Sequence, residues 1–285
     1  VVDEGHEVQA MLGAKAFQSC TGMTSVNIPD SVESIRYSAF DSCGKLASVT
    51  LPDHITAIAN DTFIQCFLLS SVHLPQNLTA IGDFAFGYCY ALSSLNIPSN
   101  VTNLGNRTFQ YCTGLTSMVI PEGVKSIGSF LFYNCSSLTS LVIPNNVTSI
   151  NASVFYSCTS LTSVTLSENL TSIGIGAFST CTALSSLTIP DKVTSIGNNA
   201  FRLCGALPSF NIPSSVLTIG RGVFYNCFML ASIDVDPSNP NYASVGGVLY
   251  NKALTTLVQY PLAIAGPFTV PSSVTTIGEQ AFYYC

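Results

Sequence analysis

Cysteine and histidine are the side chains best suited to nucleophilic, redox or metal chemistry, so their spacing is weighed first. The chain carries eleven cysteines. Ten of them, Cys20, Cys43, Cys66, Cys89, Cys112, Cys135, Cys158, Cys181, Cys204 and Cys227, stand 23 residues apart without a slip, and the last is Cys285. No Cys-x-x-Cys pair and no Cys/His group with metal-ligand spacing occurs. Residues repeated at one point of every unit should stack about 5 Å apart with parallel side chains. Parallel vectors suit disulfide geometry poorly. The expectation is therefore a ladder of buried free thiols packed as small hydrophobes, silent about redox compartment.

The remaining candidates for chemistry are sparse. His6, His54 and His73 are the three histidines, and none has a Ser/Asp or Cys partner set nearby in sequence. Asp234 and Asp236 form an isolated Asp-x-Asp, far short of a calcium loop. No glycine-rich phosphate loop and no recurring carboxylate pair is present. The expectation is no enzyme, no catalytic residue, no cofactor and no metal site.

Composition narrows the class further. Only 8% of the 285 residues are charged, while 47% are hydrophobic and 63 are Ser or Thr. Average soluble proteins carry roughly 25% charge, so solubility here must come from hydroxyls, amides or something attached to them. The net charge of −6 argues against nucleic acid, which needs a basic face. No apolar run approaches the ~18 residues of a membrane span. The chain begins Val1-Val2-Asp3-Glu4, with neither initiator Met nor signal peptide, as a processed or excised piece would.

The 23-residue period is the organising fact. With Cys as position 1, position 4 is Leu in nine units and Met23 in the first; positions 7 and 9 are apolar, as in Val49 and Leu51. Position 10 is usually Pro, from Pro29 to Pro213, with Ser167 an exception. Positions 13 and 16 are apolar, as in Val124 and Ile127, and Gly often follows, as in Gly82, Gly128 and Gly197. A Phe stands three residues before each Cys, from Phe17 to Phe282. Alternation at positions 7 and 9 makes one face of a short strand. Pro at position 10 has no N–H to pair and ends it. Positions 13 to 16 describe a second short extended segment that turns. One unit cannot bury this face alone, but stacked neighbours give a continuous core. Some eleven to twelve coils would make a rod roughly 55 Å long.

The run from Cys158 to Leu166, then Leu170-Thr-Ser-Ile-Gly and Ala177-Phe178, resembles the BspA-like class of leucine-rich repeats. The likeness covers roughly residues 8–285. It implies a β-rich leucine-rich-repeat solenoid with parallel short strands, one per 23-residue coil. The Asn-ladder position of other leucine-rich repeats is absent, with Pro in its neighbourhood, as in that class. Family members are typically secreted or surface-displayed proteins of bacteria and protists, some acting in adhesion, so the resemblance implies a secreted or cell-surface location.

The register breaks once. Val248-Leu-Tyr and Thr256-Leu-Val-Gln-Tyr are strand-like and separated by turn-prone residues, which predicts a β-hairpin near the C-terminus. It resembles an insertion common in the same family, and reads as a structural insertion or a binding protrusion. The expected organisation is a solenoid over 1–235 with a polar start at Asp3 to Glu7, a hairpin insertion over 236–262, and a resumed final repeat over 263–285.

Two surface features remain. Position 6 is Ser in all ten units from Ser25 to Ser232. A uniform stripe without aromatic or Arg anchors is a structural ladder first, or else a hydroxyl array that contacts glycan, a repetitive polymer or ice. Asn-x-Ser/Thr sequons begin at Asn60, Asn77, Asn100, Asn106, Asn134, Asn146, Asn151 and Asn169. Asn77, Asn100, Asn146 and Asn169 share position 12, in the turn after the Pro. Either they fall out of a turn residue followed by Val-Thr, or they are exposed glycosylation sites in a secreted eukaryotic protein. The leading reading is a non-enzymatic extracellular scaffold or adhesion protein that presents a repetitive surface to a protein or glycan ligand. The rival is a glycosylated fibre subunit, assembled head-to-tail through uncapped solenoid ends.

Overall fold

The computed structural model describes residues 10–285; the polar start at Asp3 to Glu7, with His6, lies outside them. It is a parallel β-solenoid of about twelve turns with no helix among the described residues. Most coils carry the expected parallel strand and a second one where the sequence shows only a turning extended segment. The first, at positions 6–8, pairs in parallel with the coil before and after, as Ser25–Asn27 with Ser48–Thr50 and then Ser71–His73. The second, at positions 15–16, builds its own parallel sheet, as Ala57–Ile58, Ala80–Ile81, Asn103–Leu104 and Ser126–Ile127. Two residues at 15 and 16 suffice because the spacing to the apolar residue at 13 already turns the chain.

A third side closes each coil without regular strand. Here backbone N–H groups at positions 19, 21 and 23 donate to carbonyls of the next coil, as Ser153 to Ile175, Phe155 to Ala177 and Ser157 to Ser179 at 2.8–2.9 Å. Aiming alternate N–H groups along the axis requires left-handed backbone at positions 19 and 23. Among the described residues twenty-one non-glycine residues have positive φ, all but Leu254 at these two positions, including Thr180 at 64°. Such a conformation costs roughly 1–2 kcal/mol for an L-residue, so the inter-coil bonds must hold it in place. Gly176 relieves the cost at position 19 of its coil, with φ of 60°. The glycine at position 17 serves a different end: a Cβ on Gly128 would sit 2.4 Å from the Asn106 nitrogen, so it permits close approach of coils.

The core is a set of ladders. Rings of Phe17, Phe40, Phe63, Phe86, Phe109, Phe132, Phe155, Phe178, Phe201 and Phe224 stack with centroids 5.1–6.1 Å apart and planes within 16°. Beside them run the position-4 leucines, among them Leu115, Leu138 and Leu161, fully buried. The thiols form the third ladder. Each of the nine from Cys43 to Cys227 donates through Sγ to the carbonyl of the previous coil's Phe at 3.0–3.2 Å. That carbonyl also accepts its own coil's Cys N–H, as Phe132 does from Cys135, using both lone pairs.

The insertion is larger than the expected hairpin. Val248–Asn251 and Thr256–Gln259 pair antiparallel, but an added strand, Tyr242–Val245, pairs with the first of them, making a meander. Gly246 and Gly247, with φ of 59° and 79°, turn between Val245 and Val248, as a two-residue hairpin with positive φ at both sites demands. Leu249 of the meander joins the main core, while Val248, Tyr250 and Leu257 are buried in a second apolar cluster with Tyr260 and Ala281. The meander's last strand pairs in parallel with Thr276–Ile277, at positions 15–16 of the resumed repeat, in a sheet separate from the second one. Asn239 triggers the departure. It occupies position 13, where other coils have an apolar residue, and is fully buried. Its Nδ2 donates to Pro213 and Val216 carbonyls, and its Oδ1 accepts from the Asn241 and Tyr242 N–H groups, all at 2.9 Å.

Two substitutions test this packing in urea denaturation. Phe132→Ala should cost roughly 3–5 kcal/mol, the range for an aromatic truncated in a core, and a loss below about 1 kcal/mol would contradict the stack. Asn239→Val restores the repeat's apolar residue yet strands four backbone partners. It should lose roughly 2–4 kcal/mol, whereas a more stable variant would show that Asn239 does not anchor the insertion.

Candidate functional site

The strand face is mostly polar, with Val119 and Val142 exposed on it. The position-6 serines lie on it, and Ser232 donates to Asp234 at 2.9 Å. Position 5 explains part of the Ser/Thr richness: Ser70, Thr116, Thr139, Thr162 and Ser185 donate side-chain hydroxyls to the residue one coil back at 3.0–3.4 Å. Position 14 repeats the device with Thr79, Thr102, Thr171 and Thr194. These hydroxyls staple coil to coil. His73 is exposed on this face and His54 bonds the Val32 carbonyl through Nε2 at 2.7 Å. Asp236 accepts from the Ser238 N–H. Among the described residues no group of three His, Cys, Asp or Glu side chains could hold a metal ion.

The third side is different in kind. Eight aromatic rings, Phe67, Phe84, Tyr88, Tyr90, Tyr111, Phe130, Tyr133 and Tyr156, line it across consecutive coils, none of them fully buried. Phe67 stacks on Tyr90 at 5.3 Å, Tyr90 meets Tyr88 edge-on, Tyr88 stacks on Tyr111 at 4.8 Å, and Tyr133 on Tyr156 at 4.9 Å. The Arg107 guanidinium lies between the Phe84 and Phe130 rings, 5.2 and 4.5 Å from their centroids. Gln110 donates to the Tyr88 hydroxyl at 3.1 Å. Burial, then the neighbouring Tyr111 and Tyr156 phenols, push the Tyr133 hydroxyl above its usual range, so it stays neutral. Sequence reasoning passed over this belt because it followed the invariant positions. The signal lay in the variable ones: positions 2, 19, 22 and 23 turn aromatic together between Phe67 and Tyr156.

The sequons are placed side by side but most of their amides are engaged. Asn77, Asn100, Asn146 and Asn169 are exposed, and each donates Nδ2 to a carbonyl 24 residues back at 2.6–3.2 Å. Asn151 does the same to Ile127, and Asn106 reaches the Asp83 carboxylate. Asn60 accepts from the Asp83 N–H, and Asn106 from Ser129, which extends a partial Asn/Asp ladder at position 18. Asn134 sits half-buried in a left-handed turn with φ of 60°. Their plain structural role is thus visible in the side-chain bonds.

A parallel solenoid with a short strand in each 23-residue coil and a stacked Phe/Leu/Cys interior defines a leucine-rich-repeat protein. The description "BspA type Leucine rich repeat region" matches residues 9–116, 102–231 and 266–285. The chain belongs to the BspA-type leucine-rich-repeat family. A leucine-rich repeat protein from Bacteroides ovatus is similar over 97% of this chain and 68% of its own, at 30% identity and a TM-score of 0.82. A leucine rich cell surface protein from Faecalibacterium prausnitzii is 30% identical over 79% of this chain and 69% of its own, with a TM-score of 0.51. The T. pallidum leucine rich repeat protein matches 57% of this chain and 78% of its own, at 29% identity and a TM-score of 0.54. No curated protein matches the chain.

All eleven cysteines are free, nine of them buried, with Cys20 half-buried and Cys285 exposed. Burial pushes the thiol of Cys43 up to about 11 and those of Cys112, Cys158 and Cys227 to about 12. In the unfolded chain a thiol ionises near pH 8.5–9. Above that pH the unfolded state sheds protons that the folded state keeps, so stability falls as pH rises. Each buried thiol contributes a slope of about 1.4 kcal/mol per pH unit until its folded pKa is reached. Denaturation midpoints under reductant should therefore drop steeply from pH 8.5 to 10, and Cys158→Ala should shallow that slope. At pH 7.5 a thiol reagent should label Cys20 and Cys285 alone, and all eleven only after denaturation. A flat pH profile, or ready native labelling of Cys112, would contradict the buried ladder.

Proposed function

We propose that this chain is a non-enzymatic extracellular or cell-surface scaffold that adheres to a partner through the aromatic belt of its third side. The observation that carries the reading is the cluster of eight rings with Arg107 at its centre, on a surface otherwise rich in Ser, Thr and Asn. Tyr and Arg are the residues that anchor interfaces most often, and a rigid solenoid holds them without an ordering cost at binding. The ring faces are already stacked on one another, so the belt offers ring edges and phenolic hydroxyls. Those suit the side chains of a protein better than a sugar ring laid flat. The surface location rests on family membership and on the likeness to a cell surface protein. The glycosylated-fibre alternative draws less support, because six of the eight sequon amides already donate Nδ2 within the protein.

Binding to panels of immobilised extracellular proteins and of glycans tests the reading. Tyr111→Ser with Tyr133→Ser should weaken capture of a protein ligand at least ten-fold, while Ser117→Ala with Ser140→Ala leaves it unchanged. Circular dichroism and melting confirm that both variants fold. If the serine-face variant loses binding and the tyrosine variant keeps it, the strand face is the site. Capture of glycans alone, dependent on the same tyrosines, would replace the protein partner with a carbohydrate.

A further inference from the structure

The inter-coil bonds of the third side are interrupted once. In the eighth unit, Asn199, Phe201 and Leu203 donate N–H to Arg221, Val223 and Tyr225 at 2.7–3.0 Å. The corresponding N–H groups of the next coil, Gly222, Phe224 and Asn226, donate to no acceptor within the protein among the described residues. The cause is the meander. The chain returns at Thr256–Gln259, which pairs with Thr276–Ile277 and not with Thr218–Ile219 of the second sheet. It then reaches Tyr260, whose ring stacks on Phe282 at 5.0 Å and whose N–H donates to the Ala281 carbonyl at 2.9 Å. Two residues, Val258 and Gln259, span what regular coils cover with positions 17–20. Beside this shortened stretch a cleft of about 260 Å³ opens, lined by Gly222, Val223, Thr256, Val258, Gln259 and Glu279 among others.

The two lips of the cleft are complementary to a main chain. One bears the unpaired N–H groups of Gly222 and Phe224. The other bears the Glu279 carbonyl, which accepts nothing, although the same position in regular coils is always taken, as Ile175 is by Ser153. Arg221 and Glu279 bridge the mouth at 2.7 Å, and their side chains are 80% and 60% exposed. An isolated anion would satisfy the N–H lip but face the Glu279 carboxylate and leave its carbonyl idle. A peptide in extended form offers carbonyls on one edge and N–H groups on the other, the pattern by which strands add to open sheet edges.

We propose that this cleft is a peptide-binding slot, in which an extended segment of a partner protein is laid as the missing side of the interrupted coil. Two of its carbonyls, two residues apart, accept from Gly222 and Phe224, and the N–H between them donates to Glu279. Regular coils restrict such a segment at positions 17 and 20, where Gly and a small or aliphatic residue usually stand, as in Gly197-Asn198-Asn199-Ala200, which fills the equivalent place in the eighth unit.

The test uses the whole chain labelled with ¹⁵N and the capped peptide acetyl-Gly-Asn-Asn-Ala-amide. Before peptide is added, the Gly222 and Phe224 amides should exchange with D₂O at least a hundred-fold faster than Asn199 and Phe201. Millimolar peptide should shift the resonances of Gly222, Phe224, residues 256–259 and Glu279, and slow exchange at the two amides. The same peptide methylated on the nitrogen of its second Asn should bind at least ten-fold more weakly, and Val258→Trp, which fills the cleft, should abolish the shifts. Arg221→Ala, at an exposed side chain, should fold normally and keep binding. Slow exchange in the free protein would mean the slot is closed, and equal shifts with sodium acetate would mean an anion site; either result overturns the proposal, as does silence at these amides with saturating peptide.

Discussion

Everything in this molecule is subordinate to the spacing of backbone hydrogen bonds between coils. Strands hydrogen-bonded side by side must lie about 4.8 Å apart, and the third side obeys the same interval through N–H groups aimed along the axis. A side chain at a given position therefore always meets its own equivalents. Flat rings tolerate that well, because offset stacking at 5–6 Å is a favoured arrangement, and ten phenylalanines use it. Cysteine tolerates it by being small and by finding a carbonyl with a spare lone pair in the previous coil. Glycine at position 17 is the residue that yields where the coils approach closest. A charged residue repeated at the same interval would repel itself, which accounts physically for a chain with so few of them.

The same interval dictates how the surface is solvated. Ser and Thr at positions 5 and 14 satisfy carbonyls of the preceding coil and still face water, and Asn at position 12 does likewise. What reads in a list of motifs as a row of glycosylation sites is first a row of staples. The positions that staple nothing are left free to vary. On the third side these carry tyrosine, phenylalanine and one sandwiched arginine, in a stretch where neighbouring coils change together.

The single break in the pattern comes from one buried polar residue. Asn239 replaces an apolar plug and pairs with four backbone groups, which turns the chain outward into the meander. The meander adds Leu249 to the core, builds a second apolar cluster around Val248 and Tyr250 and pairs with the resumed repeat at Thr276–Ile277, but it leaves the third side one segment short. A structural repair at two sides of the coil thus creates a vacancy in the bonding of the other.

The sequence determined the period, the solenoid class, the identity of the buried ladders and the free state of the thiols, because each is written at an invariant position and repetition leaves one way to stack them. The second strand at positions 15 and 16 was legible only as a turning extended segment: two residues carry too little alternation to announce a sheet, and only the neighbouring coils make it one. The added strand Tyr242–Val245 was missed because Asn239 looks like a loop residue until its four partners are in place. The aromatic belt could not be seen as a surface from the chain alone, since Phe67, Tyr111 and Tyr156 are tens of residues apart and become adjacent through stacking. The unpaired N–H groups of Gly222 and Phe224 were beyond any sequence pattern. Whether a backbone group finds a partner depends on the coil that follows, and that coil's path was decided by tertiary packing.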